Sequence, residues 1–258
     1  GVQYYHTDAG GYFSFRWIKR SREVFYRWCE ANAFSPLLRT HEGNRPWAGV
    51  QPWHDEDSLR HFALTTRWHA ALAPYLAQAM ALVEEGVALP DIDRAATEFG
   101  MPVGPVELAD SVGLDIALHV ARILGPVIQR PVSPALERML TDGRPGRKPR
   151  KGFYLYQEGG PVKPQGSTSD IPPEIGERLV LALVNEAAQC LAEGIVANAD
   201  LVDAGVIFGT GFAPFRGGPL HYARQAGIAS VTGRLQALAG KYGPRFQPSA
   251  GLEELARG

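Results

Sequence analysis

The 258-residue sequence is short of several things, and each shortage narrows what it can be. It has two cysteines, Cys29 and Cys190, far apart and without CxxC spacing. They offer no disulfide framework and no thiolate metal site, and fit two reduced packing residues in a reducing compartment. No apolar run approaches the ~18 residues of a membrane span. Net charge is almost absent, with 26 Lys+Arg against 27 Asp+Glu, a formal −1 and a pI near 6.7. That balance excludes a nucleic-acid or polybasic membrane binder driven by overall electrostatics. Nothing at the start reads as a signal peptide, although the chain opens on Gly1 rather than Met; the expectation is a cytoplasmic protein. Beyond residue 70 there is no tryptophan.

That last absence marks a boundary. Residues 1–75 hold fifteen Phe, Tyr and Trp, whereas residues 76–258 hold ten, and five of the seven His lie in the first 69 residues. So steep a change points to two pieces of different origin.

The two pieces are also patterned differently. Residues 1–12 (GVQYYHTDAGGY) read as a strand end entering a Gly-Gly loop, and helical periodicity follows from Ser21, a suitable N-cap, to Ala33. Asp55-Glu56-Asp57-Ser58 caps a long helical pattern reaching Gly86, which Pro74 should kink or break. Thereafter helices follow one another at Asp91–Phe99, Val106–Ser111, Asp115–Leu124, Pro134–Leu140, Pro173–Glu193, Asp200–Phe208 and Ile228–Leu238. Phe153–Tyr156 reads as a strand, and 157–172 as a Gly/Pro/Ser-rich linker.

An internal repeat flanks that linker. AMALVEEG (79–86) matches AAQCLAEG (187–194), and DIDRAATEFGMPVGP (91–105) matches DLVDAGVIFGTGFAP (200–214). In this register Gly100 and Gly209 are left-handed C-caps, and Pro105 and Pro214 open the next helix. Two helical units of one design suggest a pseudo-symmetric pair packed face to face.

Motifs with chemical potential are few. GTGFAP (209–214) invites a dinucleotide reading, but it follows a helix and puts Pro214 where the fingerprint needs glycine. GRPGRKPRKG (143–152) carries Arg144, Arg147, Lys148, Arg150 and Lys151; it reads either as a solvated loop or as a contact for a phosphate-bearing ligand. His61 and His69 stand ~12 Å apart along a helix, too far to share a metal, and His54 and Glu56 add no complete ligand set. Asp8 before Gly10-Gly11 and Arg39-Thr40-His41-Glu42 place polar groups at the ends of expected strands. Barrel active sites are built there, and ordinary loop polarity would look the same.

Residues 4–76 resemble the later part of the catalytic barrel of family 31 glycoside hydrolases. HTDAGGY (6–12), KRSREVFYRWCEANAFSPLLRTHEGNRP (19–46) and DEDSLRHFALTTRWHAALAPYL (55–76) carry the resemblance, and Gly-Gly-Tyr with RTHEGNRP is most similar to the sulfoquinovosidases. The resemblance implies a sugar subsite around Asp8 and His41, with Tyr12 helping to hold the sulfonate and Arg39 in the same set. It also implies a retaining mechanism through two carboxylates about 5–5.5 Å apart, which come from segments upstream of this match and are not among these residues.

Residues from about 79 to 248 resemble the C-terminal tandem helical domains of 3-hydroxyacyl-CoA dehydrogenases, most of all those of the bacterial fatty-acid oxidation complex. LVEEGVALPDIDRAATEFGMPVGPVELADSVGLDIALHVARILG (82–125), GRKPRKGFYLY (146–156) and RLVLALVNEAAQCLAEGIVANADLVDAGVIFGTGFAPFRGGPLHYA (178–223) carry it. The family moves a hydride from the 3-hydroxyl carbon to NAD while a His–Glu pair handles the hydroxyl proton. That pair and the NAD-binding domain precede the helical domains in the family and are not in this sequence. The family's Asn-Arg and Asn-Glu around Pro-Tyr-Leu are here His69-Ala70 and Ala77-Gln78.

Together these imply a mainly α fold of tandem pseudo-symmetric helical domains preceded by an incomplete (β/α)₈-barrel fragment, a chimera joined within about 73–80. The expected parts are 1–76 (barrel fragment), 77–156 (first helical domain), 157–172 (linker), 173–248 (second helical domain) and 249–258 (tail). The implied function is an incomplete β-oxidation dehydrogenase, inactive alone. The alternatives are a glycosidase remnant without its carboxylates, or a helical module docking a separate NAD-binding (Rossmann) domain. No catalytic residue, metal or cofactor is assigned to the chain itself. NAD, acyl-CoA and the oxidation-complex subunits belong to the complete enzyme.

Overall fold

The computed structural model describes residues 73–124, 132–158, 160–164, 170–194, 196 and 198–257, together with 21, 22, 51 and 54–59. Helices α1 (Ala73–Glu84), α2 (Leu89–Phe99), α3 (Pro105–Val112), α4 (Leu114–Leu124) and α5 (Pro134–Thr141) form the first unit. Strands β1 (Leu155–Gln157) and β2 (Gly160–Val162) make an antiparallel ribbon. Helices α6 (Pro173–Ala192), α7 (Ala199–Thr210), α8 (Pro219–Ala226), α9 (Ile228–Tyr242) and α10 (Ala250–Arg257) follow. The helices expected after Gly86 are all present, within a few residues at each end. Strand β2, inside the expected linker, and helices α8 and α10, the latter inside the expected tail, were not legible.

Local chemistry explains the boundaries. Pro sits in the first turn of α2, α3, α5, α6 and α8, where its missing N–H costs nothing. Asn198 caps α7, its side chain accepting from the Leu201 amide at 3.0 Å. Before α1, Asp55 accepts from the Ser58 amide at 2.8 Å and the Ser58 hydroxyl at 2.9 Å, the cap expected there. Arg22 ion-pairs with Asp55 at 3.3 Å. The rest of the expected barrel fragment lies outside the described residues, and the expected kink at Pro74 lies at their edge.

Helix α6 is the axle of the helical part. It packs on α1 and α2 of the first unit and on α7, α8, α9 and α10 of the second. Its Leu179, Leu181, Leu183, Val184, Ala187 and Ala188 are buried, each leucine contributing about 2 kcal/mol of transfer free energy. Helix α10 lies so close that a β-carbon on Gly251 would stand 1.9 Å from the Ala188 carbonyl oxygen.

The repeat is real, but its register differs from the sequence alignment. Helix α7 runs past Gly209 and ends at Gly211, whose φ of 71° matches the left-handed Gly100 (φ 116°) closing α2. The Thr210 hydroxyl donates to the Val206 carbonyl at 2.8 Å and accepts from the Phe212 amide at 3.1 Å, which extends the helix and closes it two residues later. Pro214 opens a short 3-10 turn, Pro214–Arg216, and the partner of Pro105 is Pro219 at the head of α8. The matched Phe-Gly dipeptides misled because the second loop is longer.

The two units meet reciprocally at these caps. A β-carbon on Gly100 would stand 2.7 Å from Ala213 Cβ, and one on Gly211 would stand 2.5 Å from Pro102 Cγ. Each post-cap loop thus rests on the other unit's cap. Phe99 meets Phe212 and Tyr222 edge-on at 5.4 and 5.3 Å, sealing the contact.

Candidate functional site: a buried carboxylate cluster and an interunit arginine

Helices α3 and α8 both begin behind a glycine, Gly104 or Gly218, which has no side-chain oxygen to cap them. A buried aspartate from the preceding helix does so instead. Asp93 accepts from the Val106 amide at 2.8 Å; Asp203 accepts from the Leu220 and His221 amides at 2.7 and 3.0 Å. A β-carbon on either glycine would collide with its aspartate, so glycine is required for this cap. This spatial pairing of Asp93 with Asp203 fixes the true register of the repeat.

In the first unit the cap grows into a network. Asp110 on α3 accepts from the Phe153 amide at 2.7 Å, the Tyr154 amide at 2.9 Å and the Tyr156 hydroxyl at 3.1 Å. The Tyr154 hydroxyl donates to Asp93 at 2.9 Å. Lys163, just after β2, reaches Glu107 at 2.8 Å and Asp93 at 3.3 Å. Burial pushes the Asp93, Asp110 and Asp203 carboxyls above the usual carboxylate range, against the hydrogen bonds they accept. Burial works to lower the Lys163 ammonium, but Glu107 and Asp93 outweigh it and hold it above its ordinary value. The Tyr154 and Tyr156 hydroxyls are pushed up by burial first and by the neighbouring carboxylates second.

Chemically the cluster is an anchor. Both oxygens of Asp110 are engaged, and no histidine or nucleophile faces them in the network. The carboxylates fasten the Phe153–Val162 ribbon to α2 and α3.

A second polar centre joins the units. Arg178 on α6, 3% exposed, donates two hydrogen bonds to Glu85 at 2.6 Å each. Its guanidinium lies 3.8 Å from the Tyr242 ring centre, and the carbonyl oxygen of the fully buried Gln78, once its amide is turned, accepts from it at 2.8 and 3.0 Å. Arg245 approaches Glu85 at 3.7 Å. Gln78 is therefore committed to packing between units.

Asp8, Tyr12, Arg39 and His41, expected around a sugar, lie outside the described residues, as do His61 and His69. The GTGFAP segment is the end of α7 and its left-handed cap, with Gly211 packed toward Pro102. It does not fit a dinucleotide, which needs a strand–glycine loop–helix unit. Among the described residues no three His, Cys, Asp or Glu side chains gather as a metal site. Sequence reasoning missed Asp93, Asp110, Asp203 and Arg178. For Asp93 and Asp203 the available signal was a glycine ahead of a helix-opening proline, which demands a cap from elsewhere; Asp110 and Arg178 carried none.

Comparison with known proteins matches the two parts of the chain to different families. Residues 69–156 match the 3-hydroxyacyl-CoA dehydrogenase C-terminal domain, and residues 1–79 match the family 31 glycosyl hydrolase TIM-barrel domain. The chain joins a dehydrogenase C-terminal helical domain to part of a family 31 barrel domain. The fatty acid oxidation complex subunit alpha of Shewanella amazonensis is 40% identical over 202 residues, covering 72% of this chain and 28% of that protein. Its counterpart in Shewanella halifaxensis is 39% identical over the same share. The chain thus spans little more than a quarter of the curated relatives it matches. The shared part corresponds to the dehydrogenase C-terminal helical domain, without the N-terminal NAD-binding part. Among solved structures, 3-hydroxybutyryl-CoA dehydrogenase from Escherichia coli matches 92% of this chain and 65% of its own, with TM-score 0.59 and 18% identity. The dehydrogenase part of a Caenorhabditis elegans multifunctional enzyme matches 90% and 52%, with TM-score 0.57 and 22% identity. At these identities the structures speak for the fold alone.

Proposed function

We propose that the chain is the helical scaffold of a β-oxidation 3-hydroxyacyl-CoA dehydrogenase and transfers no hydride by itself. The observation that carries this reading is what stands ahead of α1: a glycosyl hydrolase match where the dehydrogenase family has its NAD-binding domain. His69-Ala70 and Ala77-Gln78 in place of Asn-Arg and Asn-Glu remove the catalytic-site asparagine this domain would contribute. In the complete enzyme the reading includes NAD, an acyl-CoA substrate, oxidation-complex subunits and a cytoplasmic location. The parts are 1–76, 77–156, the linker 157–172, 173–248 and 249–258, with the join within 73–80.

The test is acetoacetyl-CoA reduction with NADH by the purified chain, with and without a separately produced NAD-binding domain. Neither mixture should turn over above background. Activity that survives further purification of the chain alone would refute the proposal. Restored activity on adding the second domain would favour the docking-module alternative.

The match over residues 1–79 supports a second reading for the N-terminal part. There Asp8, Tyr12, Arg39 and His41 are the remnant of a sulfoquinovosidase-like sugar subsite without its carboxylate pair. A nitrophenyl sulfoquinovoside should bind weakly and remain unhydrolysed; release of nitrophenol would contradict this.

A further inference from the structure

The basic run at 143–152 splits into two kinds of residue. Arg144 turns inward, donating to the Gly152 and Phe153 carbonyls at 2.8 and 3.1 Å, and Arg147 lies 5.6 Å from the Tyr156 ring centre. These two secure the segment. Lys148, Arg150 and Lys151 are exposed, and none of them ion-pairs among the described residues.

Backbone pairing sets these cations beside apolar groups. Gly146 pairs with Lys151, Lys151 with Leu155, and Leu155 with Val162, each antiparallel. Directly opposed residues share a face, so Lys151, Leu155 and Val162 form one row across the ribbon. Leu155 is 51% and Val162 47% exposed, although the buried Tyr156 on the other face ties the same ribbon to Asp110. The turn that carries the other two cations is strained. Arg150 has φ 63°, the left-handed region that glycine would occupy at less cost, and it is the one non-glycine residue there among those described.

We propose that the row Lys151, Leu155 and Val162, with the exposed Lys148 and Arg150 in the turn beside it, docks the chain onto an anionic phospholipid bilayer. The overall charge of −1 excludes long-range attraction by the whole chain, but it averages over a local cluster that acts within a Debye length of a surface. Unpaired cations call for an anionic partner, and the neighbouring aliphatic pair calls for a partner with an apolar layer beneath its charge. Both demands meet at a lipid headgroup boundary. The flanking acids, Asp115 near Gly113 and Glu158 at the far turn, stand outside the row. The inference is independent of the dehydrogenase reading.

The test is sedimentation of the full chain with vesicles. It should co-sediment with phosphatidylcholine–phosphatidylglycerol vesicles and remain in solution with pure phosphatidylcholine. Each cation is worth about fivefold in partitioning near an anionic surface. K148Q/R150G/K151Q should therefore lower partitioning about 100-fold. L155S/V162S should lower it about tenfold or more with the cations intact. R138Q/R257Q, which removes two cations elsewhere on the helical part, should leave it unchanged, and an unaltered thermal melt shows each variant folded. Three results would overturn the proposal: no binding to the mixed vesicles, equal loss in R138Q/R257Q, or full binding by L155S/V162S. Tight capture of an acidic peptide without vesicle binding would point to a protein partner and also overturn it.

Discussion

At the level of single residues the structure rests on carboxylates that cap backbone. Asp110→Ala removes the acceptor for two buried amides and a tyrosine hydroxyl. It should cost about 3 kcal/mol or more in denaturant unfolding, with Asp110→Asn losing less because one oxygen survives. Asp203 carries a pH signature. Burial raises its folded pKa above the unfolded value, so between the two values the native state binds the extra proton and stability rises as pH falls. His221 and Arg224 nearby temper this by favouring the charged form. In Asp203→Asn that contribution should vanish, leaving a melting temperature less favoured by mild acid than in the parent. A steeper rise on acidification would contradict the assignment. None of these aspartates stood out in the sequence, because capping across a turn leaves no fixed spacing. The lone signal, for Asp203, was the glycine before Pro219.

At the level of elements, periodicity located nearly every helix because each has one face turned to a common core. Helix α8 escaped for a specific reason. The Phe-Gly match placed the end of α7 at Gly209, so Pro214 took the role that belongs to Pro219. Helix α10 is eight residues long, and its burial depends on Gly251 admitting the backbone of α6, a tertiary circumstance invisible locally. The corrected register makes opposite predictions for glycines of different kinds. Gly100→Ala and Gly211→Ala should each destabilise by about 2 kcal/mol or more, since both have positive φ and no room for a β-carbon. Gly240→Ala, inside α9 with nothing within 4 Å, should stabilise by about 0.5–1 kcal/mol. Chemical denaturation of the three variants checks the set.

At the level of the whole molecule, the two helical units are held by reciprocal cap contacts and by Arg178. Glu85→Ala leaves a nearly buried guanidinium without its main counter-charge and should cost about 3 kcal/mol. Arg178→Met, which fills similar volume, should cost less than Glu85→Ala, and the opposite order would show that the arginine is not the strained partner. The sequence disclosed both parentages through long motifs and a composition break, yet the candidate sugar residues Asp8, Tyr12, Arg39 and His41 rest on resemblance alone. The proposed function makes this chain a scaffold without hydride chemistry. Calorimetric titration of the purified chain with NADH tests it most directly. No saturable binding heat is expected, whereas a stoichiometric isotherm at micromolar affinity would refute the proposal.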